Sequence, residues 1–332
     1  IHIGIHNCLS HNFLTVPKNM PNTDLIQRFY FAGQPFRGAI VKLQNSFVEA
    51  LNGHNYPSSI NALLGESLTA SVLMGIHLKH NARLSLQARG DGPVKLLMAE
   101  AVIQQAIDTN EEAMQQTQQT QHKIRAVARL SEENPPIIDS DSQGFQKLIG
   151  RGQLAITIEP EEGERYQGIV GADQATLSLC LESYFNQSEQ LPTLFQLATS
   201  DTAAAGILLQ RMPHNDNYQA DDKTLNSNDI WDELIALTST LTDKELLETP
   251  VEKLLFNLFH EHQVKLSPPD AIHFECSCSY QRTGAALMQI SPLEIESILE
   301  ADQEIVMDCE FCSARYRFNK NDIDTLRQQS ND

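Results

Sequence analysis

Two short stretches, Phe274-Glu275-Cys276-Ser277-Cys278-Ser279 and Asp308-Cys309-Glu310-Phe311-Cys312-Ser313, decide how this chain is read; 30 residues lie between Cys278 and Cys309. Close cysteine pairs on either side of a small domain's worth of chain are how tetrahedral Cys₄ zinc sites are built. Chance placement explains them poorly, because the chain holds only six cysteines and four fall here. The first pair is spaced by one residue rather than the usual two. In an extended strand, residues i and i+2 share a face, so both thiolates reach one metal. Their Cα atoms would lie about 6.6 Å apart, near the upper edge of what a disulfide spans. This pair therefore suits a shared metal or, after a local backbone change, a bond between its two sulfurs. A permanent zinc staple is the commoner outcome of such spacing, and a redox switch is the other.

Outward from the cysteines, the totals exclude several classes. A chain of 332 residues is long for one core, so two or three domains are expected. Hydrophobic content of 41% with 20% charged residues describes a globular protein, and the apolar runs are too short to span a membrane. A net charge of −19 opposes nucleic acid as a partner. Within residues 271–332, eleven Asp and Glu stand against five Lys and Arg, unlike a nucleic-acid zinc ribbon. Cys180 sits among Leu177, Leu181, Tyr184 and Phe185 at helical spacing and reads as a buried core thiol. Cys8 lies in a polar stretch ahead of Met20; residues 1–19 read as an upstream extension rather than a signal peptide. Clustered thiols without a secretory signal point to a reducing cytoplasm.

Residues 20–213 mix strands and helices and are expected to form an α+β domain with antiparallel sheets. Arg83–Gly90 alternates, with Leu84, Leu86 and Ala88 on the inner face, and closes on Gly90-Asp91-Gly92-Pro93. Further strands are expected at 94–102, 123–130, 154–158, 166–170, 195–199 and 206–210. Helices are expected at 46–51, 58–77 and 175–188. Gln104–Gln121, with seven glutamines, reads as an extended hairpin loop, and the Asp- and Asn-rich stretch 214–228 ends the domain.

Residues 214–270 read as an amphipathic helical linker. Trp231, Leu234 and Leu237 recur at helical spacing, and so do Leu254, Leu258 and Phe259 after a capping box at Thr249-Pro250-Val251-Glu252. Residues 271–332 read as the zinc module: a helix opened by the capping box Ser291-Pro292-Leu293-Glu294, strands at 304–308 and 315–318 around Cys309 and Cys312, and a closing helix near Asn321. So small a unit, with few large apolar side chains, depends on its metal.

From about Met20 to about Arg327, this organisation resembles the thirty-three-kilodalton redox-regulated heat-shock chaperone family. The Cys-x-Cys, 30 residues, Cys-x-x-Cys arrangement carries the resemblance. Gly90-Asp91-Gly92-Pro93, Glu162-Gly163-Glu164-Arg165-Tyr166-Gln167-Gly168, Ser188-Glu189-Gln190-Leu191-Pro192-Thr193 and Phe318-Asn319 support it. The resemblance implies a holdase that uses no ATP and is not an enzyme. Reduced, the family is inactive, with one Zn²⁺ on thiolates that map to Cys276, Cys278, Cys309 and Cys312. Oxidation implies disulfides Cys276–Cys278 and Cys309–Cys312, zinc release, unfolding of module and linker, capture of unfolding clients, and a homodimer. The extension at 1–19, the long 104–121 loop and the 215–228 loop depart from the family pattern without touching the cysteines.

Three other readings compete with this one. Cys309-Glu310-Phe311-Cys312 is also a thiol-disulfide oxidoreductase spacing, but a second cysteine pair stands ready to complete a metal site. A nucleic-acid zinc protein is opposed by the module's acidity. A zinc hydrolase would want an open position and ligands such as His273, which four thiolates make unnecessary.

Overall fold

The run from Phe36 to Leu43 buries six of its eight residues, with no alternation. A strand of that kind is covered on both faces, and it organises the domain around it. The computed structural model describes residues 24–78, 80–105, 120–132, 144–213 and 227–329. The first part of the chain runs β1 (Leu25–Phe31), β2 (Phe36–Leu43), α1 (Asn45–Leu51), α2 (Ser58–Met74), β3 (Ala82–Gly90), β4 (Val94–Gln105), β5 (Thr120–Leu130), α3 (Phe145–Ile149), β6 (Gly152–Pro160), β7 (Tyr166–Gly171), α4 (Leu177–Tyr184), β8 (Thr193–Thr199) and β9 (Ala204–Arg211). Three helices follow, α5 (Ser227–Ser239), α6 (Asp243–Glu248) and α7 (Val251–Phe259), and then β10 (Val264–Leu266) and β11 (Asp270–Phe274). The chain closes with α8 (Tyr280–Leu287), α9 (Pro292–Asp302), β12 (Glu304–Asp308), β13 (Arg315–Asn319) and α10 (Lys320–Gln329).

The fold is α+β. Eleven strands form one sheet in the order β7-β6-β3-β4-β5-β11-β1-β2-β9-β8, with β10 beside β1, while β12 and β13 form a separate hairpin. All pairings in the large sheet are antiparallel except β11 with β5, which run parallel from Ala271 opposite Gln121 to Phe274 opposite Ile124. That parallel pair departs from the expected antiparallel arrangement. It also means that the sequence boundary between 270 and 271 falls inside a strand of the large sheet.

Two cores lie on opposite faces. On one, α2, with most of its residues buried, packs Leu64, Leu68 and Leu73 with Val41, Leu84, Ala126 and Leu208 of the strands. On the other, Phe29, Phe31, Phe36, Ile40 and Ile207 meet α5, α6 and α7. Alternation along β3 is as expected, with Leu84, Leu86 and Ala88 buried. The turn after it requires glycine: a Cβ on Gly90 would stand 2.1 Å from the Ile149 carbonyl oxygen. Asp91 then accepts from the Arg151 backbone N–H at 2.7 Å.

The expected helix 58–77 is α2 with its last turn tightened to a 3₁₀ turn, Gly75–His77. The expected helix 175–188 starts at Leu177, capped by the Thr176 hydroxyl, and ends in a wider turn, Phe185–Glu189. The capping box in the linker lies elsewhere than expected. Thr242 and Glu245 cap each other at the start of α6, whereas Thr249 ends α6 and Pro250 precedes α7 without a side-chain cap. Cys8, residues 1–19, and most of the 104–121 and 214–228 stretches lie outside the described residues.

Glu66 of α2 is half-buried and senses the carboxylate of Asp243 at the start of α6; burial first, then that neighbour, push its carboxyl up to about 7. A carboxyl raised on folding stabilises the protein below its unfolded value and loses that contribution as pH rises through its folded value. Thermal stability is therefore expected to fall between pH 4.5 and about 7 through this group. Glu66→Gln should flatten the slope and stabilise the protein above pH 7 by roughly 1–2 kcal/mol, measured as Tm against pH. An unchanged slope in the variant would remove Glu66 from this role.

Candidate metal centre

Strand β11 ends at Phe274, and Cys276 and Cys278 follow in the irregular segment before α8. The Cys-x-Cys pair is thus not in a strand, as expected from its spacing, but one residue beyond one. Ser279 closes the segment: its hydroxyl accepts from the Arg282 N–H at 3.2 Å and starts α8. Cys309 and Cys312 occupy the turn between β12 and β13. There the Cys309 N–H donates to the Ala314 carbonyl and the Ser313 N–H to the Cys309 carbonyl, both at 2.8 Å, with Ser313 left-handed at φ 57°. A five-residue core of Leu287, Ile295, Ile305, Phe318 and Ile323 holds the helices and this hairpin together.

All four Sγ atoms lie within 4.8 Å of one another. Across the pairs, Cys276 lies 3.6 Å from Cys309 and Cys278 lies 3.4 Å from Cys312. A tetrahedral ion with sulfur ligands at about 2.3 Å has sulfur edges of about 3.8 Å, so the donor set fits zinc in both chemistry and size. The four cysteines could hold one metal ion. Among the described residues no other cluster of potential ligands is as close. His273 is exposed on β11 and does not join it.

The thiols do not share one environment. Burial pushes Cys276 and Cys312 up. Burial acts upward on Cys278 too, but the Tyr316 hydroxyl at 3.1 Å and the three other thiols outweigh it and bring Cys278 down to about 7. Cys180 sits apart, fully buried on α4, its thiol raised mainly by burial; it is the quiet core thiol the sequence suggests.

Sequence reading missed the residues that grip these loops from the large sheet. Lys123 pairs with Glu275 at 2.8 Å. Arg125 donates to the Ser277 hydroxyl at 2.9 Å and stacks over the Phe311 ring at 4.1 Å. Arg129 forks onto Glu310, with Nε 3.0 and 3.1 Å from its two oxygens. His54 Nε2 lies 3.3 Å from the Phe311 carbonyl, and the Ser313 hydroxyl donates to the Gly53 carbonyl at 3.0 Å. Partners 152 to 260 residues apart leave no local signal in the sequence.

The linker residues named from sequence stand against β1 and β2 on the face turned away from α2, in a core of their own. Trp231 stacks on Phe36 with centroids 5.7 Å apart, and Phe259 meets Phe31 edge-on at 5.3 Å. Trp231, Leu234, Leu254, Leu258 and Phe259 are buried, whereas Leu237 is only half-buried at the edge of that core.

A family model described as "Hsp33 protein" matches residues 24–319. A 33 kDa chaperonin from Shewanella frigidimarina is 39% identical over 305 residues, covering 92% of this chain and 96% of the relative. One from Actinobacillus succinogenes is 39% identical over 313 residues, covering 93% and 98%. The crystal structure of the 33 kDa chaperonin (heat shock protein 33 homolog) from Thermotoga maritima superposes with a TM-score of 0.71 at 19% identity, covering 93% of this chain and all of that one, which speaks for the fold. These relatives carry the name of a chaperone and not of an enzyme. With that match over nearly its whole length, the chain belongs to the Hsp33 family.

Proposed function

We propose that this protein is a redox-regulated, ATP-independent holdase of the cytoplasm that keeps unfolding proteins from aggregating under oxidative or heat stress. The observation that carries the reading is the convergence of Cys276, Cys278, Cys309 and Cys312 on one point of a module with little core of its own. These four thiolates hold one Zn²⁺ in the reduced state. Bound there, zinc supplies folding energy, about 10–16 kcal/mol in structural sites, and keeps the sulfurs anionic. The chain divides into the large sheet domain, the linker α5–α7 and the cysteine module.

Thiolate is the form that attacks peroxide. One cysteine of a pair displaces hydroxide from the peroxide to become a sulfenic acid. Its neighbour attacks that sulfur, forms the S–S bond and expels a second hydroxide. Each disulfide thus gives two electrons to one peroxide, and two disulfides consume two. We assign them to Cys276–Cys278 and Cys309–Cys312, the pairs closest along the chain. The short contacts across the pairs are the edges of a four-sulfur metal set and carry no preference for covalent pairing. A disulfide sulfur no longer offers the charge a metal needs, so the site lets go and the module loses its main support. The linker then leaves the sheet, baring Trp231, Leu234, Leu254, Leu258 and Phe259, with Leu237 beside them. That surface takes exposed apolar segments of clients and supports a homodimer. Neither nucleic acid nor a membrane is a partner: the net charge is −19, and no helix among the described residues is long and apolar enough to cross a bilayer.

The test follows zinc content, client aggregation and Trp231 emission together while peroxide is added with mild heat. One zinc per chain is expected before oxidation and none after, with suppression of aggregation appearing as zinc leaves. Trp231 is the only tryptophan in the chain, and its emission should shift to the red and return on reduction with zinc. Activity that appears while the emission stays fixed would place client capture elsewhere. Zinc that survives full activation would overturn the switch, and peptide mapping of the oxidised chain decides the pairing.

A further inference from the structure

One face of β3, β4 and β5 is unusually basic for so acidic a chain. Side chains at 123, 125, 127 and 129 of β5 alternate away from the buried core that takes Ile124, Ala126 and Ala128. The register sets Lys123 opposite Val102 and Val102 opposite Arg83; Arg125 opposite Glu100 and Glu100 opposite Ser85; and Arg129 opposite Leu96. Five cations, Arg83, Arg89, Lys123, Arg125 and Arg129, therefore share a face with one carboxylate, Glu100. That carboxylate is 4% exposed and ion-paired to Arg125. Its pairing fixes the Arg125 guanidinium in place whatever else it touches.

What occupies this face now is a pair of acidic loops, one on each side of α8, α9 and β12. Glu275 and Glu310 sit on Lys123 and Arg129, and the Phe311 ring lies under Arg125. The basic face thus already meets carboxylates and an aromatic ring, offered by two separate stretches of chain. Each of these contacts falls on a residue next to a cysteine, so the cover stays only while the cysteine loops keep their present shape.

We propose that the β3–β5 face is a second client surface, distinct from the apolar linker site, that binds acidic, aromatic-bearing polypeptide segments once the cysteine loops detach. This rests on the functional reading above for the event that opens it. Two sites of opposite character, one apolar and one cationic, would let one holdase grip a client by both kinds of segment.

The probe is a fluorescently labelled peptide of residues 307–314 carrying Cys309→Ser and Cys312→Ser, followed by anisotropy on the full-length chain. It should not bind the reduced, zinc-loaded protein. It should bind the oxidised, zinc-free protein and also the zinc-loaded variant Glu275→Lys/Glu310→Lys, whose loops are repelled from Lys123 and Arg129. Binding should weaken at least about tenfold with added salt, with Lys123→Glu/Arg129→Glu in the oxidised protein, or with lysine at the peptide's glutamate. These two cations lie at the margin of the face, so the variant keeps the Arg125–Glu100 pair and its fold. Absence of binding to both opened forms, indifference to the charge reversals, or preference for a single-stranded oligonucleotide of equal charge would overturn the proposal. Proteolysis of the 275–312 loops separates the two claims. Loops that stay protected after oxidation count against the switch, while the charge-reversed variant still tests the face. Loops that open without peptide binding sink the face alone.

Discussion

Replacing Cys309 by serine is expected to abolish stoichiometric zinc binding and to unfold residues 275–329 while the large sheet persists. A hydroxyl is a far poorer zinc ligand than a thiolate, and the remaining three sulfurs leave an incomplete shell. Only five side chains of the module are fully buried, with half-buried ones packed around them, too few to hold about 50 residues without the roughly 10 kcal/mol or more that a structural metal supplies. Metal analysis of the purified variant and amide exchange check this. Protection should vanish in β12 and β13 and remain in β3, β4 and β5. The same outcome is expected at Cys276, Cys278 and Cys312, and full zinc content in all four single variants would sink the metal site. Cys180→Ser should leave zinc untouched, since that thiol lies in the α2-side core.

Phe259→Ala is expected to release the linker with zinc still bound. Phe259 is 1% exposed and touches both Phe29 and Phe31, with centroids 6.2 and 5.3 Å away. Truncating such a phenylalanine costs about 3–5 kcal/mol, a large share of what holds three short helices to a sheet. Trp231, in the same core, should then emit further to the red in the reduced protein, and aggregation of a heat-unfolded client should be partly suppressed without peroxide. Unaltered emission and no activity would mean that the linker is anchored by something other than this aromatic cluster. The polar anchors to examine next are Lys42, which donates to the Leu246 carbonyl, and Gln196, which donates to the Leu241 carbonyl.

The four-cysteine cluster was legible because cysteine is rare here and its spacing carries chemistry directly. The half-buried strand β3 was legible because one wet face imposes alternation. β1 and β2 were missed: β2 is buried on both faces and so shows no period, and an apolar run of that length also fits a helix. β11 was missed because it fully buries only Asp270 and Ile272, and Ser267-Pro268-Pro269 ahead of it reads as a break. Its partners, β1 and β5, lie far along the chain. Thr249 drew the capping box because Pro250 and the apolar residues after it fit a helix start, while Thr242-Asp243-Lys244-Glu245 precedes a helix of only six residues. Helix α8 escaped notice because Gly284 interrupts it, and there the glycine admits the Leu326 side chain of α10, whose atoms a Cβ would meet at 2.8 Å.

Seen as a piece of stitching, the large sheet has a single seam. β5 and β1 do not pair with each other; among the described residues, five-residue β11 is the one thread between β7-β6-β3-β4-β5 and the half built from β1, β2, β8, β9 and β10. That thread ends one residue short of Cys276, and the Glu275 N–H is already fastened to the Ile124 carbonyl at 3.2 Å. Under the pairing proposed above, drawing Cys276 and Cys278 together takes up chain in the short irregular segment 275–279 between β11 and α8. The missing length comes from the first turn of α8 or from the thread itself. If the thread runs, a slit opens between two half-sheets that α2 still straddles, touching β2, β8 and β9 on one side and β3, β4 and β5 on the other. A protein sewn this way gives along one line and keeps both halves whole.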